Sequence, residues 1–189
     1  MYLLSDLLLC LMLSTNFLVL EGQMTMFSEV QERAQSLTAV KIKMVPSHFQ
    51  REGVKPYQVG SKGYMRVLVT NDSDQRIRVI IVDTYYQNRP KLFKDGQLLP
   101  YREEVKKLVR SKDEYPEFVR LGSVVFLQPH TSRDLEELNL SDWYGPLEPG
   151  SYRLINRHRL EINRPWTADS AELLFEVGPQ KSSGNQTVQ

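Results

Sequence analysis

Three histidines, His48, His130 and His158, are the side chains best suited to proton transfer or metal binding near neutral pH, and they stand far apart. None sits in the H-x-H or H-E-x-x-H spacing that puts two imidazoles on one face of a strand or helix, so the sequence builds no metal centre. His158 falls on the side of a strand shared with Tyr152 and Leu154 and reads as a satisfied core histidine. Asn71-Asp72-Ser73-Asp74 gathers carboxylates within reach of a Ca²⁺ ion. A hard cation wants about six or more oxygens, however, and this run reads as a solvated turn. No serine stands in G-x-S-x-G, and there is no glycine-rich phosphate loop. With no nucleophile–base pair, metal cluster or phosphate cradle at a usable spacing, the chain is expected not to be an enzyme and to use no cofactor.

Arginines and aromatics offer a different chemistry, that of recognition. Arg153, Arg157 and Arg159 alternate onto one face of residues 151–162, opposite Tyr152 and Leu154, and Arg164 follows in the next turn. Such a face can hold carboxylate or phosphate groups. The plainer reading is a solvated sheet face laced with cross-strand pairs to Glu172 and Glu176. Trp143 and Tyr144 beside Pro146, and Trp166 beside Pro165, are candidate exposed anchors, because Trp and Arg dominate binding hot spots. The alternative is that the two tryptophans cap the ends of the core. Trp143, Tyr144, Arg153, Arg157 and Arg159 are therefore the candidate binding residues, for a protein or glycan partner bearing acidic groups.

A third constellation is structural. In LEPGSY, Pro149-Gly150 turns the chain and Tyr152 stands just inside the next strand. Its ring can enter the core while its hydroxyl reaches back to an upstream backbone group, with Leu147 packing under the ring. This is the tyrosine corner of Greek-key sandwiches.

The elements that would carry these residues are mostly strands. TAVKIKMV (38–45) alternates with period two, and Pro46 ends it. Residues 47–61 read as a loop. GYMRVLVTN (63–71) and RIRVIIVDTYY (76–86) read as a hairpin, the second arm a central strand. LFKDGQLLP (92–100) is a smaller hairpin turned at Asp95-Gly96. YREEVKKLVRSK (101–112) switches to helical period. Its stripe is Tyr101, Val105, Leu108 and Val109, and an ion pair from Glu103 to Lys107 is expected. VVFLQP (124–129), TSRDLEELNL (131–140), SYRLINRHRLEI (151–162) and AELLFEV (171–177) read as strands, with LSDWYG (140–145) a one-turn bridge. The pattern predicts an all-β, immunoglobulin- or fibronectin III-like antiparallel β-sandwich with one short inserted helix.

Composition sets the outer limits. The 24 Lys and Arg nearly cancel the 23 Asp and Glu, so no global field draws the chain to nucleic acid or an anionic membrane. Apolar residues at 41% suit one soluble domain, and nine Tyr suit strands. The single cysteine, Cys10, lies in the first apolar segment, so removal of that segment leaves a chain without thiols, as export favours. LLLCLML (7–13) and FLVL (17–20) resemble a signal-peptide core and are too short to span a bilayer. No Lys or Arg precedes them, Asp6 stands in their place, and Leu20-Glu21-Gly22 is a poor cleavage site. A cytosolic amphipathic helix is the alternative. The expected organisation is a leader over 1–22, a linker over 23–37, the sandwich over 38–178 and a disordered tail over 179–189. The expected location is secreted or periplasmic, with no stable membrane span once the leader is removed. Sequons occur at Asn71, Asn139 and Asn185 and would mark surface loops in a eukaryotic secretory protein.

The run from TNDSDQRIRV through RPKLFKDGQLLPYREEV and LNLSDWYGPLEPGSYRL to AELLFEV resembles a set of bacterial exported proteins of the acidobacterial type, over about residues 38–178. Those proteins are single immunoglobulin-like domains without an assigned activity, so the resemblance implies fold and location alone. The Asn-x-Ser-Asp turn and the late Pro-Gly-x-Tyr are also similar to the intracellular proteinase inhibitor domain of bacilli. That likeness implies an alternative function, protease inhibition through an exposed rigid loop over 86–100 with Pro90 and Pro100. Fold alone does not carry function.

Overall fold

A computed structural model of the chain describes residues 39–47, 56–119 and 122–179. The leader, the linker, Cys10, His48, Asn185 and all but the first residue of the expected tail lie outside the described residues. The described elements are, in order, β1 (Val40–Pro46), β2 (Tyr57–Val59), β3 (Tyr64–Asn71), β4 (Ile77–Ile80), α1 (Thr84–Gln87), β5 (Lys91–Lys94), β6 (Gln97–Leu98), α2 (Glu103–Glu114), a 3₁₀ turn (Pro116–Phe118), β7 (Val124–Leu127), β8 (Thr131–Asn139), α3 (Leu140–Tyr144), β9 (Gly150–Ile155) and β10 (Leu173–Val177). The strands form three sheets: β1-β3-β8, β2-β10-β9-β5-β6 and β4-β7. Every pairing is antiparallel except β2 with β10, so the architecture is all-β with a few short helices.

Alternation does most of the placing. In β1, Val40, Ile42 and Met44 are buried while Lys41 and Lys43 point out. In β3, Met65, Val67 and Val69 are buried on the same sheet. The larger sheet buries Leu92, Tyr152, Leu154, Leu173, Phe175 and Val177. Asp95 and Gly96 both take positive φ, 50° and 82°, between β5 and β6. That is the pair of dihedrals a tight two-residue hairpin needs, and Asp-Gly supplies it at little cost.

Several expectations are corrected. Residues 63–71 and 76–86 do not form a hairpin: β3 lies between β1 and β8, and β4 pairs with β7. The strand over 76–86 ends at Ile80, because Asp83 caps a helical turn, accepting from the Tyr85 and Tyr86 N–H groups at 2.9 and 3.2 Å. The stretch 47–61 contains β2, a parallel edge strand beside β10. Glu103 pairs with Lys106, one residue nearer than expected, at 2.6 Å. The strand over 151–162 is ladder-paired only to Ile155. Residues 86–100 do not make a projecting loop: Pro90 is buried and Lys91–Leu98 is a paired hairpin.

The turn before β9 has the geometry of a tyrosine corner. The Tyr152 hydroxyl donates to the Glu148 carbonyl at 2.9 Å, pinning the Pro149-Gly150 turn from behind. The Tyr152 ring stacks on Phe175, centroids 5.3 Å apart. Leu147 is buried over Gly63, where φ is 60° and an added Cβ would stand 2.7 Å from Leu147 Cδ1.

Candidate functional site

The two aromatic segments singled out in the sequence have opposite fates. Trp143 sits on α3, whose first turn is capped by Asn139 accepting from the Ser141 N–H. Leu140 and Trp143, three apart on one turn, both face inward, and Trp143 is 1% exposed. Its indole meets Tyr85 at 4.8 Å and Tyr101 at 5.2 Å. The Tyr144 hydroxyl donates to the Pro90 carbonyl at 2.6 Å and accepts from the Leu92 N–H at 3.1 Å. Tyr101 donates to the same carbonyl at 2.7 Å. Burial pushes the Tyr101 phenol up to about 12 and raises Tyr144 as well. Trp143 and Tyr144 are thus not exposed anchors. They form a knot that ties α3 to the chain entering β5.

Trp166 is half-buried and collects cations. Its ring lies 4.7 Å from the guanidinium carbon of Arg89, 4.9 Å from that of Arg157 and 4.2 Å from that of Arg159. Backbone bonds beyond the end of β9 position them. The Arg89 N–H donates to the Arg157 carbonyl at 3.1 Å, the Arg159 N–H to Gln87 at 2.9 Å and the Thr167 N–H to His158 at 2.9 Å. Alternation therefore persists without a ladder: Asn156, His158 and Leu160 are buried, and Arg157 and Arg159 stay partly exposed. Asp113, near the end of α2, binds Arg89 at 2.7 Å and Arg159 at 3.3 Å. Among the described residues Arg157 has no carboxylate partner, and its Nε is buried without a hydrogen bond.

Arg153 belongs elsewhere. Its guanidinium lies 3.9 Å from the Phe93 ring and pairs with Glu172, on the outer face of the larger sheet. Close by the Trp166 cluster, Arg78 and Arg164 share Glu161 at 2.8 and 3.2 Å. Burial would raise the Glu161 carboxyl, but these two arginines prevail and hold it below its ordinary value. The structure therefore joins Arg157 and Arg159 to Arg89 and Trp166, and separates them from Arg153, Trp143 and Tyr144. Arg89 was invisible in the sequence, because only the capped turn at Asp83 brings it under Arg157.

Beneath the cluster lies a buried polar network. Asn88 Nδ2 donates to Glu136 at 2.5 Å, and Asn88 Oδ1 accepts from Asn156 Nδ2 at 2.9 Å. His158 Nδ1 lies 3.0 Å from the same Asn88 oxygen, which assigns the proton to Nδ1 and leaves Nε2 bare in the interior. Burial lowers the His158 pKa to about 3 and raises that of Glu136, the latter opposed by bonds from Asn88 and Thr84. A neutral imidazole with its donor engaged is a structural part of this network.

The Asn71 turn is likewise structural. Asn71 is fully buried, its amide donating to Gln75 at 2.7 Å and to Gln128 at 3.1 Å while its oxygen accepts from Ser73. His130 is exposed, 2.8 Å from Asp74. No group of three or more His, Cys, Asp or Glu is placed to hold a metal ion among the described residues. Nor is any described helix long and apolar enough to cross a membrane.

No family model matches the chain, and no curated protein matches it. Solved structures similar to it include a β-glucosidase from Listeria innocua and a mutant of that enzyme in complex with laminaribiose. Each is 14% identical, with TM-scores of 0.30 and 0.32, over 74% of this chain and 16% of that one. A likeness so slight carries neither fold nor activity.

Proposed function

We propose that the chain is an exported, non-catalytic binding module of the cell envelope or extracellular space, built on an immunoglobulin- or fibronectin III-like sandwich. The tyrosine-corner geometry at Tyr152 supports the fold reading. The apolar segment at 7–20, together with a cysteine confined to it, supports export. The observation that carries the functional reading is the platform at Trp166, where three guanidinium groups surround one half-buried indole. Guanidinium and indole do not change charge near neutral pH and make poor acids, bases or nucleophiles. They are, however, the groups that dominate binding surfaces. The partner is a protein or glycan that carries acidic groups.

A pull-down from envelope extracts with the full chain tests this. The wild type is expected to retain a defined set of partners that Arg157→Ala recovers much less well. Recovery of the same set at the same level by both would remove the platform from the function.

A further inference from the structure

We propose that Arg157, whose guanidinium carbon lies 4.9 Å from the centre of the Trp166 ring, is the receiving group of a carboxylate-binding site. This rests on reading the chain as a binding module and names the chemistry that the module recognises. The cluster already shows what it accepts. Asp113, a carboxylate from α2, is taken up by Arg89 at 2.7 Å and Arg159 at 3.3 Å. Arg157 shares the same indole, 4.9 Å from its centre, and among the described residues has no such partner. Four of the nearby arginines, Arg78, Arg89, Arg159 and Arg164, take Asp113 and Glu161 as ion-pair partners, two arginines to each carboxylate, and Glu136 beneath them is bonded to Asn88. Arg157 is the guanidinium of this cluster left without an ion pair among the described residues.

Geometry selects the ligand. Arg157 Nε is buried, so an incoming group cannot approach the guanidinium along its Nε edge. Only the two terminal nitrogens can receive it, as an end-on fork that matches the two oxygens of one carboxylate. The Trp166 ring, 4.9 Å from the guanidinium carbon, gives the side chain a cation–π contact. A phosphate dianion needs more donors than one fork, and the neighbouring Arg159 is held by Asp113, whose own charge opposes a second negative charge nearby. The site is therefore monoanionic and planar in its preference. The carboxylate can come from a free acid or from an acidic side chain on a polypeptide.

The test is a titration of the ¹⁵N-labelled full chain, read at the arginine Nε–H resonances, with Arg157→Lys used to assign its signal. Sodium acetate, the blocked amino acid N-acetylglutamate amide and inorganic phosphate are added in parallel at constant ionic strength, with chloride as the control. A saturable shift of Arg157 is expected with acetate and with the blocked glutamate, and none with chloride. Arg153, already paired with Glu172, should stay in place. Tighter binding of the blocked glutamate would point to a polypeptide source and equal binding to a free acid, both supporting the carboxylate. Arg157→Ala should weaken acetate binding about tenfold or more, as loss of a hydrogen bond to a charged group implies. A shift shared equally by Arg153 and Arg157, a shift that never saturates, or tighter binding of phosphate would overturn the proposal. If the titration fails while the pull-down still depends on Arg157, the binding reading survives and only the carboxylate assignment falls.

Discussion

The knot at Trp143 and the platform at Trp166 are built from the same materials and set in different surroundings. Both place a tryptophan next to tyrosine or arginine and a proline, and the sequence treats them alike. Trp143 is 1% exposed, its neighbours are aromatic rings, and the nearby Tyr101 and Tyr144 phenols are spent on the Pro90 carbonyl and the Leu92 N–H. Trp166 keeps part of its surface and is surrounded by charge. What distinguishes them is the element that delivers them. A single helical turn drives Trp143 inward, whereas an extended segment with no ladder leaves Trp166 at the rim. The guanidinium groups gather where β9 has left its ladder and only isolated bridges, Asn88 with His158 and Arg159 with Trp166, carry its alternation on.

The largest effect is expected at the knot. Trp143→Ala removes a large buried side chain and should cost about 3–5 kcal/mol of unfolding free energy in urea. A loss well below that would mean that the aromatic cluster is not a keystone.

The buried network gives the next effect, through pH. His158 has a folded pKa of about 3 against an ordinary 6.5, so the unfolded chain takes up a proton where the folded chain does not. Stability is therefore unaffected above about pH 6.5 and falls as pH drops from there toward about 3. Glu136, raised by burial, acts oppositely: the folded chain holds its proton longer, which offsets part of the loss at the acid end. Denaturation at about pH 7 and about pH 4 should show a smaller loss for His158→Leu than for the wild type. Equal losses in the two proteins would show that the imidazole is not buried neutral.

A smaller effect sharpens the same contrast. Tyr144→Phe keeps the ring and leaves the Leu92 N–H without its side-chain acceptor, at a cost of about 1–3 kcal/mol. Calorimetry should find the variant destabilised but native in its near-ultraviolet spectrum.

Strand-like runs were enough to place β1, β3, β7, β8, β9 and β10, by strict alternation in β1 and only loosely in β8, and Asp-Gly marked the β5–β6 turn. These signals are local, and local backbone preference decides them. Pairing partners were not legible. The break at Asp83 looked like one more position in a β-branched run, and only the capping bonds show that the chain turns helical there. The same turn sets Arg89 beneath Arg157, so one of the three guanidinium groups at Trp166 comes from a residue about seventy positions upstream with no motif of its own. Arg157 and Arg159 were legible as a face. Their separation from Arg153 was not, because it depends on where the ladder ends. Trp143 and Trp166 could not be told apart by spacing, since burial of an aromatic is settled by tertiary packing.

The claim that these two tryptophans divide fold from recognition is tested most directly by urea unfolding of Trp166→Ala beside Trp143→Ala. Trp166→Ala loses part-exposed area and three weak cation–π contacts, so a cost of about 1–2 kcal/mol is predicted, clearly less than at the knot. A cost for Trp166→Ala as large as that for Trp143→Ala would contradict the account, because the arginines would then be holding the core together and not a surface kept for a partner.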